Sequence, residues 1–78
     1  MKFKELDTVV LVRDLPEHGL CKGDLGAVVF TYGPDTIEVE FVTAAGTTQA
    51  LVTISTSDVR PVADTDLMAV RSTKKRSA

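Results

Sequence analysis

The chain reads as an all-β domain, a five-stranded antiparallel barrel, on three observations. Apolar residues alternate with period two, most plainly in Ile37-Glu38-Val39-Glu40-Phe41, rather than recurring every three or four positions. The apolar run Val9-Val10-Leu11-Val12 is built mostly of β-branched residues that suit a pleated sheet. Clusters of Gly, Pro, Asp and Ser punctuate the chain often enough to leave only strand-length segments between them.

Leu6 to Arg13 is the first strand. Asp14-Leu15-Pro16-Glu17-His18-Gly19 breaks it, with Pro16 and Gly19 as the punctuation of a loop long for a hairpin. Gly23 and Gly26 bracket Asp24-Leu25 and lead into a second strand, Ala27 to Tyr32. Gly33-Pro34-Asp35 turns the chain into Ile37–Phe41, whose alternation puts Ile37, Val39 and Phe41 on a core face and Glu38 and Glu40 in water. Ala44-Ala45-Gly46-Thr47 makes the next turn. Thr48 to Ile54 follows as a strand with Ala50, Val52 and Ile54 on one side. Ser55-Thr56-Ser57-Asp58 is too polar to continue it and predicts a single tight helical turn. Val59 to Val62 is a last short strand, and Pro61 places it at a sheet edge because proline donates nothing to a ladder. Short antiparallel strands joined by short turns favour closure. The organisation expected is a barrel over residues 1–62, an apolar segment over 63–70 and a disordered basic tail over 71–78. Asp64-Thr65-Asp66 is placed to cap a helical turn over Leu67, Met68 and Val70.

Seventy-eight residues make one domain with a small core. Disulfides give no support, since Cys21 is the single cysteine. A lone cysteine and an N-terminus without an apolar h-region predict a reducing cytoplasm and no signal peptide. Cys21 and His18 are too few ligands for a zinc site, and no other cofactor is expected. No apolar run approaches membrane-spanning length. The net charge of −2 is poorly suited to phosphate neutralisation, so nucleic acid is not the expected partner. The exception is the base cluster Arg71, Lys74, Lys75 and Arg76; without those four residues the barrel itself is clearly acidic.

Several stretches resemble a known family: Leu6-Asp7-Thr8-Val9-Val10-Leu11, Gly19-Leu20, Lys22-Gly23-Asp24-Leu25-Gly26-Ala27-Val28-Val29, Glu38-Val39-Glu40-Phe41, Ala50-Leu51-Val52-Thr53 and Asp58-Val59-Arg60-Pro61-Val62. The family comprises short bacterial proteins catalogued as a domain of unknown function. The resemblance covers residues 1–62 and implies an SH3-like barrel. It supplies no catalytic residues. Members that sit beside toxin-like genes make an antitoxin or immunity role one alternative. The Gly-x-x-Gly-x-Val pattern at Gly23, Gly26 and Val28 also resembles KOW-type barrels of ribosomal and transcription proteins. Its physical meaning is structural, since glycine permits positive φ and close backbone approach. Where KOW modules carry bases, this chain has Asp24 and only Lys22.

Three constellations remain. His18 and Cys21 are the one nucleophile-and-base pair, with Asp14 or Asp24 to orient the histidine. A surface histidine and a cysteine used as a small apolar side chain explain them without catalysis, and no enzyme is expected. Asp35, Glu38 and Glu40 form a candidate docking face for a basic partner, though a half-wet strand looks the same by default. Leu67, Met68 and Val70 follow the last strand and have no assured place in the core. They either fold back over a barrel end or bury against another chain. The leading expectation is therefore a non-enzymatic interaction module that forms a homo-oligomer. A nucleic-acid-binding accessory domain and an antitoxin are the alternatives.

Overall fold

The computed structural model describes residues 2–73 and is all-β. Its strands are β1 (Thr8–Leu11), β2 (Leu25–Thr31), β3 (Thr36–Val42), β4 (Thr48–Ser55) and β5 (Val59–Pro61). They form one antiparallel sheet in the order β4-β3-β2-β1-β5. Two short 3-10 turns, Pro16–His18 and Thr56–Asp58, complete the regular structure of the described residues.

The connection from β4 to β5 forces the sheet to curl. These strands lie at opposite edges, four steps of about 4.8 Å apart, so a flat sheet would separate them by about 19 Å. Only Thr56–Asp58 joins them, and a 3-10 turn of that length covers roughly 8 Å. The turn is well made. The Ser55 hydroxyl accepts from the Ser57 amide at 3.1 Å, and the Asp58 carboxylate accepts from the Ser55 amide at 3.2 Å. Asp58 also accepts from Arg13 Nε at 2.7 Å, tying the turn to the end of β1. The tight helical turn expected at 55–58 is therefore present. β5 lies at the edge that Pro61 demanded, with Pro61 opposite Val9. The sheet is curled, but its two edges share no ladder among the described residues.

The concave side holds the core: Val9, Leu11, Leu15, Leu20, Val28, Ile37, Val39, Phe41, Val52, Ile54 and Val59. Ile37, Val39 and Phe41 point inward, while Glu38 and Glu40 stay half-exposed on the outer face. Leu15 and Leu20 are core residues supplied by the loop after β1. They bridge each other with backbone bonds of 2.9 and 3.1 Å, which folds the loop over one end of the sheet. Gly19 makes the tight return at φ 70°.

The first strand is shorter than expected. Leu6 takes φ 74°, outside the extended region, so the ladder begins at Thr8 rather than Leu6 and ends at Leu11 rather than Arg13. β2 starts earlier than expected, at Leu25, because Val10 pairs with Leu25. It also carries a bulge: Val28 faces Val39 and Phe30 faces Glu38, leaving Val29 as the extra residue. The bulge resets the alternation, so Val28 points into the core while Phe30 and Tyr32 point outward.

The expected helical turn over Leu67, Met68 and Val70 does not form. A hydrogen-bonded turn closes earlier, from the Asp66 amide to the Ala63 carbonyl at 3.0 Å, and the chain then runs without regular structure. The Asp66 carboxylate accepts from the Ala63 amide at 2.6 Å and pairs with Arg60 at 2.8 and 3.0 Å. Asp66 therefore pins the chain to β5 instead of capping a helix.

Candidate functional site

The segment from Ala63 to Thr73 is held at two points. The first is the Arg60–Asp66 pair on β5. The second is Arg71, whose guanidinium donates to both oxygens of Asp24 at 2.8 and 2.5 Å and to the Gly19 carbonyl at 3.0 Å. Asp24 lies immediately before β2. In the sheet order β1 stands between β5 and β2, so residues 67–70 cross β1 as a strap. Val10 points away from the core toward that side. It sits between Leu25 and Arg60 on its flanking strands and is 6% exposed. Arg71 was expected to begin a disordered tail; instead it is the far pin of the strap. Lys74, Lys75 and Arg76 lie outside the described residues.

The strap shows its apolar side chains to water. Leu67, Met68 and Val70 are 95%, 67% and 99% exposed, so they do not fold back over the core. Beside the strap runs a groove of about 510 Å³. Leu20, Leu25, Phe41, Val42, Val70 and Arg71 are among its walls, and the loop after β1, the turn between β3 and β4, and the strap all contribute to it.

The Asp24 notch is held by bonds of its own loop and of β1 as well as by Arg71. The Cys21 amide donates to the Asp24 carboxylate at 2.8 Å, and the Leu11 amide donates to the Asp24 carbonyl at 3.0 Å. Lys22 N–H bonds to Asp14 at 2.7 Å, and Gly23 takes φ 95° to close the turn. The Arg71 guanidinium, aided by the Cys21 amide, holds the Asp24 carboxyl below the ordinary carboxylate value. The same pairing raises the Arg71 pKa further.

The two glycines of the Gly-x-x-Gly-x-Val pattern serve different needs. Gly23 supplies a left-handed turn residue with open space around it. Gly26 supplies close approach: a Cβ there would lie 2.6 Å from Val39 Cγ1 and 2.8 Å from Phe41 Cε1.

Of the acidic face, Glu38 and Glu40 share the outer side of β3, and each is already engaged. Tyr32 donates its hydroxyl to Glu38, and Thr48 Oγ1 donates to Glu40 at 2.7 Å. Glu38 raises the Tyr32 phenol above its ordinary value. Asp35 is exposed in the turn before β3, where its carbonyl accepts from the Thr56 amide at 2.9 Å. The surrounding surface is more apolar than the acidic pattern suggested. Phe30 packs on Tyr32 with ring centroids 4.7 Å apart, and Val42 and Leu51 are also exposed. Sequence reasoning missed this patch because the bulge at Val29, which has no local signature, decides where Phe30 and Tyr32 point.

His18 and Cys21 are both exposed on the loop after β1. Cys21, expected to serve as a small apolar side chain, is thus not packed in the core. The two carboxylates able to orient His18 are used elsewhere, Asp14 by the Lys22 amide and Asp24 by Cys21 and Arg71. No group of three or more His, Cys, Asp or Glu able to hold a metal occurs among the described residues. No helix among them is long and apolar enough to cross a membrane.

The fold and these surfaces define a small all-β domain, one curled antiparallel sheet with a strapped outer side. The chain belongs to the family described as Domain of unknown function (DUF4926), which it matches over residues 5–61. No curated protein and no solved structure matches it.

Proposed function

We propose that this domain is a non-enzymatic interaction module with an SH3-like barrel fold, and that it self-associates in a reducing, cytoplasmic setting. One observation carries the reading. Leu67 and Val70 stand almost wholly in water, and Met68 mostly so, on a segment pinned at both ends by ion pairs. Ordering such a segment costs conformational entropy, and leaving its apolar side chains wet returns nothing within one chain. Burial against a second surface returns it. The patch of Phe30, Tyr32 and Leu51 offers further apolar area. A specific interface takes about 800 Å² from each partner. That is about one-seventh of the 5766 Å² surface. The strand order and the single 3-10 turn between β4 and β5 support the barrel reading. The exposed, unpaired Cys21 supports the reducing setting. Arg71 is committed to Asp24, which withdraws one base from any nucleic-acid surface.

The test is sedimentation velocity from low to high micromolar protein, with a Leu67→Ser/Met68→Ser/Val70→Ser variant alongside. The full chain is expected to rise to at least twice the monomer mass, and the variant to remain monomeric with an unchanged melting temperature. A monomeric full chain at every concentration sinks the proposal. Association that survives in the variant moves the interface to the outer face of β2, β3 and β4.

A further inference from the structure

The two edges of the sheet differ in what they leave open. β5 is three residues long; Pro61 has no N–H to give, and its carbonyl accepts from Arg60 Nη1 at 3.0 Å. β4 is eight residues long, uncharged, and free of proline and glycine. Its register decides which backbone groups face outward. The Thr56 amide bonds to the Asp35 carbonyl at 2.9 Å, and bonded pairs alternate along an antiparallel ladder. Counted from there, Ile37 with Ile54, Val39 with Val52 and Phe41 with Ala50 are the bonded pairs. The other side of β3 agrees: the Tyr32 amide bonds to the Thr36 carbonyl, so Thr36 faces β2 and Ile37 faces β4. Leu51 and Thr53 therefore turn their N–H and C=O groups away from the sheet.

Those four groups form a bounded site. At one end, the Ser55 amide already donates to Asp58 at 3.2 Å. At the other, Gln49 is the extra residue of a bulge opposite Phe41 and Val42, which breaks the alternation. Between these stops Leu51 and Thr53 are exposed, and nothing among the described residues bonds their outward backbone groups. Two donors and two acceptors at that spacing fit an antiparallel strand. A second β4 meets the need completely. With a two-fold axis at Val52, Leu51 of each copy faces Thr53 of the other, and four bonds satisfy all eight groups. β5 is no mate for this edge, since Pro61 and Arg60 close it. Like charges do not meet either. Glu38 and Glu40 lie one strand back on β3, and the two β3 strands would stand about 14 Å apart, beyond a screening length of about 8 Å.

We propose that the outer edge of β4 pairs with β4 of a second copy, Leu51 opposite Thr53 about a two-fold axis at Val52, so that one sheet continues into the next. This inference rests on the self-association proposed above and assigns its edge and register. The ladder exchanges bonds to water for bonds to protein, so it sets direction, while apolar burial supplies the strength. Leu51, half-exposed on the outer face, lies beside the axis. Val70 of the strap and Gln49 border the same groove, which puts the end of the strap near the start of β4.

The experiment mixes isotope-labelled and unlabelled full-length protein at high micromolar concentration and records isotope-filtered NOEs. Its companion compares the dimer dissociation constant of Leu51→Pro with that of the unaltered chain. The Leu51 N–H makes no bond in its own sheet, so proline there removes two of the four intermolecular bonds and none within the chain. The expected result is an intermolecular NOE between the Val52 Hα protons of the two copies and another from the Leu51 amide to the Thr53 amide, with dissociation at least tenfold weaker in Leu51→Pro. Should Leu51→Pro fail to fold, the NOEs of the unaltered chain decide. Association without NOEs between β4 strands, or with an unchanged constant in a folded Leu51→Pro, overturns the ladder and leaves self-association standing. A chain monomeric at every concentration overturns both.

Discussion

Adding one methyl group at Gly26 puts a carbon where the core has no room. The new Cβ would stand 2.6 Å from Val39 Cγ1 and 2.8 Å from Phe41 Cε1, both inside van der Waals contact by about an ångström. Neither neighbour is a flexible surface chain: Val39 is 0% and Phe41 3% exposed. Gly26 lies opposite Val9 in the ladder, so backbone movement would also disturb β1. Forcing a methyl group into a packed core costs about 1–3 kcal/mol. Removing a strand glycine returns about 0.5–1 kcal/mol of backbone entropy. Gly26→Ala is therefore expected to destabilise by about 1–2 kcal/mol, a fall in melting temperature of about 4–16 °C for a chain of this size. Gly26→Val, with two further methyls in the same space, is expected to lose more than about 3 kcal/mol although valine suits strands. Gly33→Ala is the control, with nothing within 4 Å of its Cβ and no positive φ. Urea titrations of the three variants supply the free energies. A double-mutant cycle with Val39→Ala adds a coupling of about 1 kcal/mol if Val39 Cγ1 is the obstruction. A Gly26→Ala protein as stable as the unaltered chain, with no coupling to Val39, would refute the packing argument and reopen a ligand role for this glycine.

Two further outcomes follow from the same structure. Val39→Asp is expected to unfold the domain, because an unpaired carboxylate in this core costs several kcal/mol against a total stability of about 4–12 kcal/mol. Glu40→Lys on the opposite face loses only the Thr48 hydrogen bond and is expected to cost about 1 kcal/mol or less; equal melting temperatures for the two would show the register of β3 to be wrong. The Asp66 carboxyl is held at about 2 by Arg60 and the Ala63 amide. Because the folded value lies below the unfolded one, this pin is fully present above about pH 4 and is lost as the pH falls toward 2. An NMR titration of the Asp66 carboxyl with a midpoint at the ordinary 3.8 would contradict the pin.

Period-two alternation was enough to orient β3, because a strand with one wet and one buried face writes its register into its own residues. Pro61 located an edge for the same local reason, since a missing N–H excludes a central ladder position. The polar run at Ser55–Asp58 and the left-handed need at Gly23 were likewise legible, being properties of a few adjacent residues. What only the tertiary structure decided involves residues far apart in the chain. Leu15 and Leu20 become core because a loop closes over the sheet end. Phe30 and Tyr32 turn outward because a bulge shifts the pairing of β2 with β3. The reason Gly26 is a glycine lies in two side chains of β3, thirteen and fifteen residues later. Arg71, placed by composition in a basic tail, meets Asp24 across 47 residues of chain. Local patterns report backbone conformation and which face is wet. A contact between distant residues leaves no mark in either one's neighbourhood, so the strap and its notch emerge only once the sheet has curled and brought them together.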